Sequence, residues 1–577
     1  MRSAAPSNHW KLALTAAVLL ACAVVPTPLQ AGTCQSADLV VRNGKIIAMD
    51  PQGHVHQAMA IRDGRILALG SNSDLAGCAS ARTRILDLEG KTVLPGLIDV
   101  HTHAIAWAKG ILRNEIDANY PKVRSIVEIV ADVRRRAAAT SSGDWIVGFG
   151  WDDQKLSEHR YIHSSDLDPV SPNNPVYLVH VSGHLAAANS AALKLAGISP
   201  VTPDPDGGLI ERDAAGQPTG IIKDTAMSLV ARLLPADPPD LPKRAARLVS
   251  QKAVSVGLTT LHDIWVSPED MRGYQDALQE DLLHVRVQLV PGVRNVEEAR
   301  ALADGGLHTG FGNDRLKLGA VKLFADGGMG ARTIAIYPPP VAGEPDNFGL
   351  LIWKSDQLLE AHRILAGAGW QIVTHAIGDR AIDQVLDSYQ ALLKEPRLKD
   401  PRFRIAHGGI STPAIQKRLR ELNVIVDGNP AFVYWIGSWF RKYGTERVRW
   451  SYPGKSYFEN GIVVGAGSDV GVTPISPWWG IWAGVVRQEM NSGEILAPEE
   501  RLTVLQVLQL YTRNGAYIGF EEDQKGSLEP GKLADFIVVD RDVLTIPPDD
   551  LKDVQVLKTF VGGELVYEQD NTLETQR

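Results

Sequence analysis

Positive charge, cysteine and long apolar runs are all scarce in this 577-residue chain, and each scarcity excludes something. Lys and Arg number 59 against 67 Asp and Glu, a net charge of -8. No basic surplus exists to neutralise phosphates, which excludes nucleic-acid binding as the main role. Past the N-terminus no stretch approaches 18 uninterrupted apolar residues, so no integral membrane segment is expected once that N-terminus is removed. A Walker loop, a nucleophile elbow and a dinucleotide fingerprint are all missing, which disfavours phosphoryl transfer, serine-based hydrolysis and redox chemistry. There is no solenoid repeat and no low-complexity tract. What is present is an ordinary globular composition, 44% hydrophobic and 22% charged, with 53 Gly and 34 Pro. That suits a loop-rich α/β protein of one large domain plus satellites.

The first thirty residues read as a targeting segment. Arg2 and Lys11 precede an apolar run over 12–25, which Pro26 and Pro28 end abruptly. The run is too short to span a bilayer and matches the apolar stretch of a signal peptide. A signal peptide is therefore expected over 1–31, cleaved after Ala31, with the protein exported to the periplasm or secreted. The alternative is acylation of Cys22 in "LLAC", which would anchor the protein as a lipoprotein. Of the three cysteines, cleavage after Ala31 leaves Cys34 and Cys78. An even number in an exported protein predicts a disulfide between them.

Short strands open the remaining chain. "ADLVVRNGKIIAMD" carries a hairpin signal at Asn43-Gly44, "AMAIRDGRILALG" repeats it at Asp63-Gly64, and "RILDLEGKTVLPG" turns at Glu89-Gly90. Far downstream, "GKLADFIVVDRD" and "VQVLKTFVGGELVYE" have the same character, with a turn at Gly562-Gly563. One composite β-sandwich domain is expected from 32–92 and 523–577. Between them lie eight apolar strand candidates: 93–101, 257–263, 284–290, 316–324, 370–375, 403–407, 423–427 and 462–467. Helix-like segments such as 355–369 and 380–395 separate the later ones, the signature of a (β/α)8 TIM barrel in an α/β protein. The first two strands are more than 150 residues apart, so an insertion over 115–245 is expected to divide the barrel into 93–114 and 246–522.

Residues able to do chemistry sit at strand ends. Asp99, His101 and His103 in "LPGLIDVHTH" are spaced two apart and share one face of a strand, so the two imidazoles can hold one metal. Strand four adds Lys322 in "VKLFADGG", strand five His375 in "IVTHAIGD", strand six His407 in "RIAHGG" and strand eight Asp469 in "VGAGSD". Each is costly in an apolar strand unless paired or metal-bound, and each falls at the face where TIM-barrel enzymes place catalysis. Taken alone, a core histidine is more often structural, and Asp469 can equally cap a helix beginning near Pro474. Six such residues on five strands resist that explanation.

The motifs "PGLIDVHTH", "VKLFADGG", "HAIGDRA", "IAHGG", "GAGSD" and "TRNGA…KGSLEPGKLADFIVVD" closely resemble the metal-dependent amidohydrolase superfamily, in its YtcJ-like and N-substituted formamide deformylase-like branch. The resemblance spans nearly the whole chain, including "GHLAAANSAAL" in the insertion. It departs at Gly328, where Ser is more often expected. The resemblance implies a first metal on His101, His103 and Asp469, a second on His375 and His407, and Lys322 bridging both as a carbamate. A lysine left neutral or ion-paired beside a single metal is the alternative. Mixed N/O donors suit two Zn2+, with Mn2+, Fe2+ or Co2+ able to substitute. The implied reaction is hydrolysis, a metal acidifying water and Asp469 moving the proton to the leaving group.

Other residues carry two readings each. Asp99 either orients a ligand imidazole or makes a structural hydrogen bond. Asp326 and Arg332 either orient substrate or brace their loop. His184 is expected to line the pocket from the insertion, and His180 and His184 together have too few neighbours for a further metal. Trp478, with Trp479 and Trp482, either walls the pocket or packs the core. Asp379 is expected to cap the helix after strand five. The expected activity is cleavage of an amide-type C–N bond in a small molecule, acyclic N-acyl or N-formyl, or cyclic. Deamination, hydrolysis of an ester, lactone or phosphoester, and a non-catalytic periplasmic binding protein are the alternatives. Association into a homo-oligomer stays open.

Overall fold

The computed structural model describes residues 36–395 and 398–569. The signal-peptide segment, its cleavage points, Cys22 and Cys34 lie outside them, whereas Cys78 is buried in a small apolar cluster with Ala37, Val40 and Leu75. Among the described residues no helix is long and apolar enough to cross a membrane.

Two parallel sheets form a TIM-barrel-type α/β core. One joins β1 (Leu97–Thr102), β2 (Leu258–Ile264), β3 (Arg286–Val290) and the first part of β4 (Leu316–Leu318). The other joins the second part of β4 (Val321–Phe324), β5 (Ile372–Ala376), β6 (Arg404–His407), β7 (Ile425–Gly428) and β8 (Val464–Ala466). A parallel bridge between Gly292 and Lys322 links the two. On the far side, Asp469 N–H donates to the His101 carbonyl at 2.8 Å, tying the end of β8 to β1. Most of the strands are buried along their whole length, as sheets covered on both faces must be.

Two expected strands are each divided. The candidate 93–101 splits at Gly96, where a Cβ would meet Thr259 Oγ1 at 2.2 Å. Its first part, Thr92–Pro95, leaves the barrel and pairs antiparallel with Phe536–Val539. The candidate 316–324 breaks at Gly319-Ala320, between the two barrel sheets.

The chain ends meet. A four-stranded sheet orders Arg65–Gly70, Ala58–Arg62, Leu39–Arg42 and Arg84–Asp87. A six-stranded sheet joins Lys45–Ile47 and Thr92–Pro95 to strands from 536 to 568. One apolar cluster holds residues of both, including Val41, Ile61, Val93 and Phe536. Asp63-Gly64 and Gly562-Gly563 make true hairpins in these sheets. The hairpin expected at Asn43-Gly44 does not form: Leu39–Arg42 and Lys45–Ile47 lie in different sheets. That turn and Glu89-Gly90 instead carry two parallel neighbours around one corner, with Gly90 N–H donating to the Asn43 carbonyl at 2.7 Å.

Between β1 and β2 stands a further six-stranded sheet, from Ile116–Asp117 to Pro218–Asp224, with two apolar clusters of its own. Its antiparallel pair Val176–His180 and Leu185–Ala188 is joined by residues 181–184.

Candidate metal centre

All six strand-end residues converge. Ring centroids step from His103 to His101 (5.7 Å), to His407 (4.7 Å) and to His375 (4.7 Å). Asp469 Oδ1 lies 3.3 Å from His103 Nε2 and 4.0 Å from His101 Nε2, and Lys322 Nζ lies 3.4 Å from His101 Nε2. His101, His103 and Asp469 present donor atoms within 4.8 Å of one another, close enough to share one ion. Asp469 is no helix cap, since the next helix, Pro477–Val486, starts after Ser476. His407 (φ 72°) and Asp469 (φ 53°) both adopt left-handed backbone, strain of the kind held at functional sites.

The surroundings leave lone pairs pointing inward. His103 Nδ1–H donates to the Ile264 carbonyl at 2.9 Å and His375 Nε2–H to the Gly327 carbonyl at 3.0 Å, which frees Nε2 of the first and Nδ1 of the second. Asn429 Oδ1 takes the Nδ1 proton of His407 at 2.8 Å, its amide being turned by donation to the Gly467 carbonyl. Buried Nδ1 of His375 and of His101 have no hydrogen-bond partner. Asp427 lies 3.7 Å from His101 Nδ1, but its charge is taken by Arg404 at 2.6 Å. Burial pushes the imidazoles of His101, His375 and His407 far below their usual range, and that of His103 below it, so all are neutral. Burial likewise pulls the Lys322 amine down to about 7, with Asp469 and Asp427 opposing. Neutral imidazoles, one carboxylate and a deprotonatable amine, with orphaned nitrogens between them, fit divalent metal.

The remaining candidates divide between bracing and lining. Asp99 accepts backbone N–H groups, from His101 (3.0 Å) and Ser468 (3.1 Å), and so holds β1 against β8 rather than turning an imidazole. Burial raises its carboxyl to about 7. Asp326 accepts from the backbone of Ala335, Ile377 and Gly378, bracing the loop beside His375, and burial lifts it to about 8. Arg332 is occupied by Glu344 at 2.7 Å and Asp153 at 3.6 Å. Trp478 and Trp482 are packed in the main apolar core. Asp379 is the first helical residue, with Gly378 at the cap position, because its carboxylate is drawn to Tyr337 N–H.

A small cavity opens over the centre, lined by His375, His407, Asp469, Met329, Trp439, Tyr452 and, from the inserted sheet, Ser182 and His184. The His184 ring lies 5.0 Å from that of His375, and Asp224 Oδ1 holds its Nδ1 at 2.8 Å. Gly328 is explained here: a Cβ on it would meet the His184 ring at 2.7 Å.

Asp152, Asp153 and His180 form a second buried group within ion-sharing distance. Its carboxylates are already matched by Lys155 (3.2 Å from Asp152) and Arg332. Burial alone would raise Asp153, but His180, Gln154 and Arg332 hold it below its usual range.

Sequence reasoning missed Asp427, Asn429, Asp224 and Ser182. The rule that found the other strand-end residues, a charge closing an apolar strand, applies equally to Asp427 in "NVIVDGN". Asp224 lies in a strand with no such signal, and only its left-handed backbone (φ 50°) marks it.

A family model described as the amidohydrolase family matches residues 84–567. Protein LONG AFTER FAR-RED 3 of Arabidopsis thaliana is 33% identical over 549 residues, 92% of each chain. The N-substituted formamide deformylase of Arthrobacter pascens is 29% identical over 549 residues, covering 93% of this chain and 99% of that protein. The crystal structure of an uncharacterized metal-dependent hydrolase from Pyrococcus furiosus matches 88% of this chain and 100% of its own, at 27% identity and a TM-score of 0.67.

Proposed function

The chain belongs to the amidohydrolase family and is a hydrolase; on that premise we propose that it cleaves an amide-type C–N bond of a small molecule. The observation that carries this reading is the set of four neutral imidazoles around Asp469 and Lys322, with ring nitrogens left unbonded. The formamide deformylase relative makes N-substituted formamides the first substrates to test.

His101, His103 and Asp469 would hold one Zn2+ and His375 and His407 a second. Bound there, the metal supplies Lewis acidity that lowers the pKa of water toward neutrality and polarises the scissile carbonyl. Asp469, at the cavity floor, takes a proton from the attacking water and gives it to the leaving nitrogen. Lys322 is suited to carbamylation: its neutral amine forms an N–C bond to CO2 and loses a proton, giving a second anion, beside Asp469, among neutral imidazoles. His184, held by Asp224, lines the substrate side. The insertion over 115–245 supplies that wall, and the two end sheets are the faces of one composite β-sandwich.

We further infer export, with a signal peptide over 1–31 and a Cys34–Cys78 bond. In the chain-entropy model the loop of about 45 residues stabilises by roughly 4 kcal/mol. Mass spectrometry of the non-reduced mature protein should find the linked peptides, and two free thiols would sink the idea.

The activity test is a hydrolysis screen on the zinc-loaded protein. Formamides, N-acyl and cyclic amides are set beside deaminase, ester, lactone and phosphoester substrates. Amide cleavage abolished by a chelator is expected. Turnover confined to another bond type, or ligand binding without turnover, would overturn the proposal.

A further inference from the structure

The 181–184 turn brings a second polar chain to the cavity, running from Asp153 through His180 to Ser182. His180 is fully buried between Trp151 (4.7 Å, edge-on) and Trp439 (5.6 Å), so its ring cannot turn. Gly330 permits this seat, since a Cβ there would meet His180 Cε1 at 2.6 Å.

Donor and acceptor roles along the chain follow from the backbone. The Ser182 N–H points at His180 Nδ1 at 3.1 Å, so Nδ1 carries a lone pair and the ring proton sits on Nε2. That Nε2 faces Asp153 Oδ1 at 3.5 Å, an attraction of charge and dipole that holds the tautomer. Ser182 Oγ lies 2.9 Å from the same Nδ1, which can only accept, so the hydroxyl proton is directed to it. One lone pair of Oγ receives His184 N–H at 3.3 Å. The other remains, on a half-buried residue that lines the same cavity as Asp469.

We propose that Ser182 is a substrate-recognition residue: a fixed hydrogen-bond acceptor for an N–H donor of the substrate, with His180 and Asp153 as its positioning residues. This rests on the amide-hydrolase reading and narrows it to secondary amides, R–NH–CO–R′ or R–NH–CHO. Accepting the amide N–H holds the leaving nitrogen and leaves its developing lone pair free for the proton from Asp469. The Asp152–Asp153–His180 group then serves to orient Ser182, its charge already balanced by Lys155 and Arg332, and takes up no metal.

The test compares an N-alkylformamide with its N-methyl counterpart, which lacks the donor, on zinc-loaded protein. Wild type is expected to favour the N–H substrate by about tenfold in kcat/KM, the scale of one net hydrogen bond. Ser182→Ala should lose that preference at unchanged metal content, and Ser182→Thr, which keeps the hydroxyl, should retain it. His180→Asn should lose the preference too, again without losing metal. A preference that survives in Ser182→Ala overturns the inference. So does ion retained by Lys322→Ala but lost in His180→Ala, which would make the cluster a metal site. Should Ser182→Ala fail to fold, the 15N shifts of His180 in the wild-type protein decide: neutral Nε2–H is expected, and an imidazolium overturns the chain. Wild type that cleaves both amides equally sinks only this inference, whereas wild type inert to all amides sinks the functional reading with it.

Discussion

Two buried clusters of histidine and aspartate, one at the barrel strand ends and one in the inserted sheet, differ in one respect, how their charges and lone pairs are closed. In the barrel, His101, His103, His375 and His407 are neutral, carbonyls or Asn429 take one nitrogen of His103, His375 and His407, and Nδ1 of His375 and of His101 is left without a hydrogen bond, the latter facing Asp427. In the inserted sheet, Asp152 and Asp153 meet Lys155 and Arg332, and His180 Nδ1 is used by Ser182. Both satisfy a distance rule for sharing an ion. Both hold buried atoms without a hydrogen-bond partner, but those of the second, Asp152 Oδ2 and His180 Nε2, face Lys155 at 3.2 Å and Asp153 at 3.5 Å, and an uncompensated polar group in a dry core is costly unless something else satisfies it. Closure, more than proximity, distinguishes a ligand set from a salt-bridged brace.

The largest expected effect comes from opening the barrel cluster at Lys322, the proposed bridge. Lys322→Ala should release at least one metal and lower turnover beyond the 10²–10⁴-fold range of a lost acid–base group. Added short carboxylic acids should restore part of it by filling the vacated position. Full metal occupancy by elemental analysis would rule out the bridge. Asp469→Asn keeps shape and one acceptor oxygen but cannot take a proton, so kcat should fall by about 10²–10⁴-fold with metal largely retained. Undiminished kcat in metal-loaded Asp469→Asn would remove its proton-transfer role.

A smaller effect belongs to the wall between the clusters. His184→Ala should reduce kcat/KM by about tenfold, the loss of one hydrogen bond and its packing, with metal content unchanged. Metal loss in that variant would move His184 into the ligand set.

The smallest effect sharpens the contrast with a histidine that is fully closed. His362, one helix behind β5, is bonded at both nitrogens, to Ser388 Oγ (2.8 Å) and Thr374 Oγ1 (3.0 Å), and burial holds it down to about 3. Its folded-state pKa lies below the unfolded value of about 6.5, so below that pH the unfolded chain binds the extra proton. Stability should therefore fall as pH drops from about 6.5 toward 3. His362→Gln should be less stable at neutral pH, yet its urea midpoint should vary less over that interval. An unchanged acid slope would show that other groups dominate it.

Reading strands from the chain succeeded where burial made them continuous apolar runs, as at 403–407 and 423–427. It erred where two sheets share a segment. The stretch 93–101 is apolar up to Asp99, yet Gly96, packed on Thr259, turns its first part into another sheet. Turn residues were equally ambiguous. Asn43 and Asp63 both adopt positive φ, but Gly64 follows with positive φ and Gly44 does not, and only the second pair closes a hairpin. Local chemistry sets the backbone angle, whereas the partner strand is chosen by which apolar face the long-range core needs. The site divides in the same way. Strand-end charges in apolar runs are visible one strand at a time. Asn429 and Asp224 act through groups that neighbour them only in space.

The sequence by itself determined what is local: alternation, apolar strands, the two-residue spacing of His101 and His103, and the polar residues that end the barrel strands. Tertiary structure alone decided which nitrogen of each imidazole stays free, which carboxylates are spent on Lys155, Arg332 and Arg404, and that the 181–184 turn reaches over the centre. The physical reason is that a side chain's protonation and hydrogen-bond role depend on burial and on partners more than a hundred residues away, such as Ile264 for His103 and Asp427 for His101.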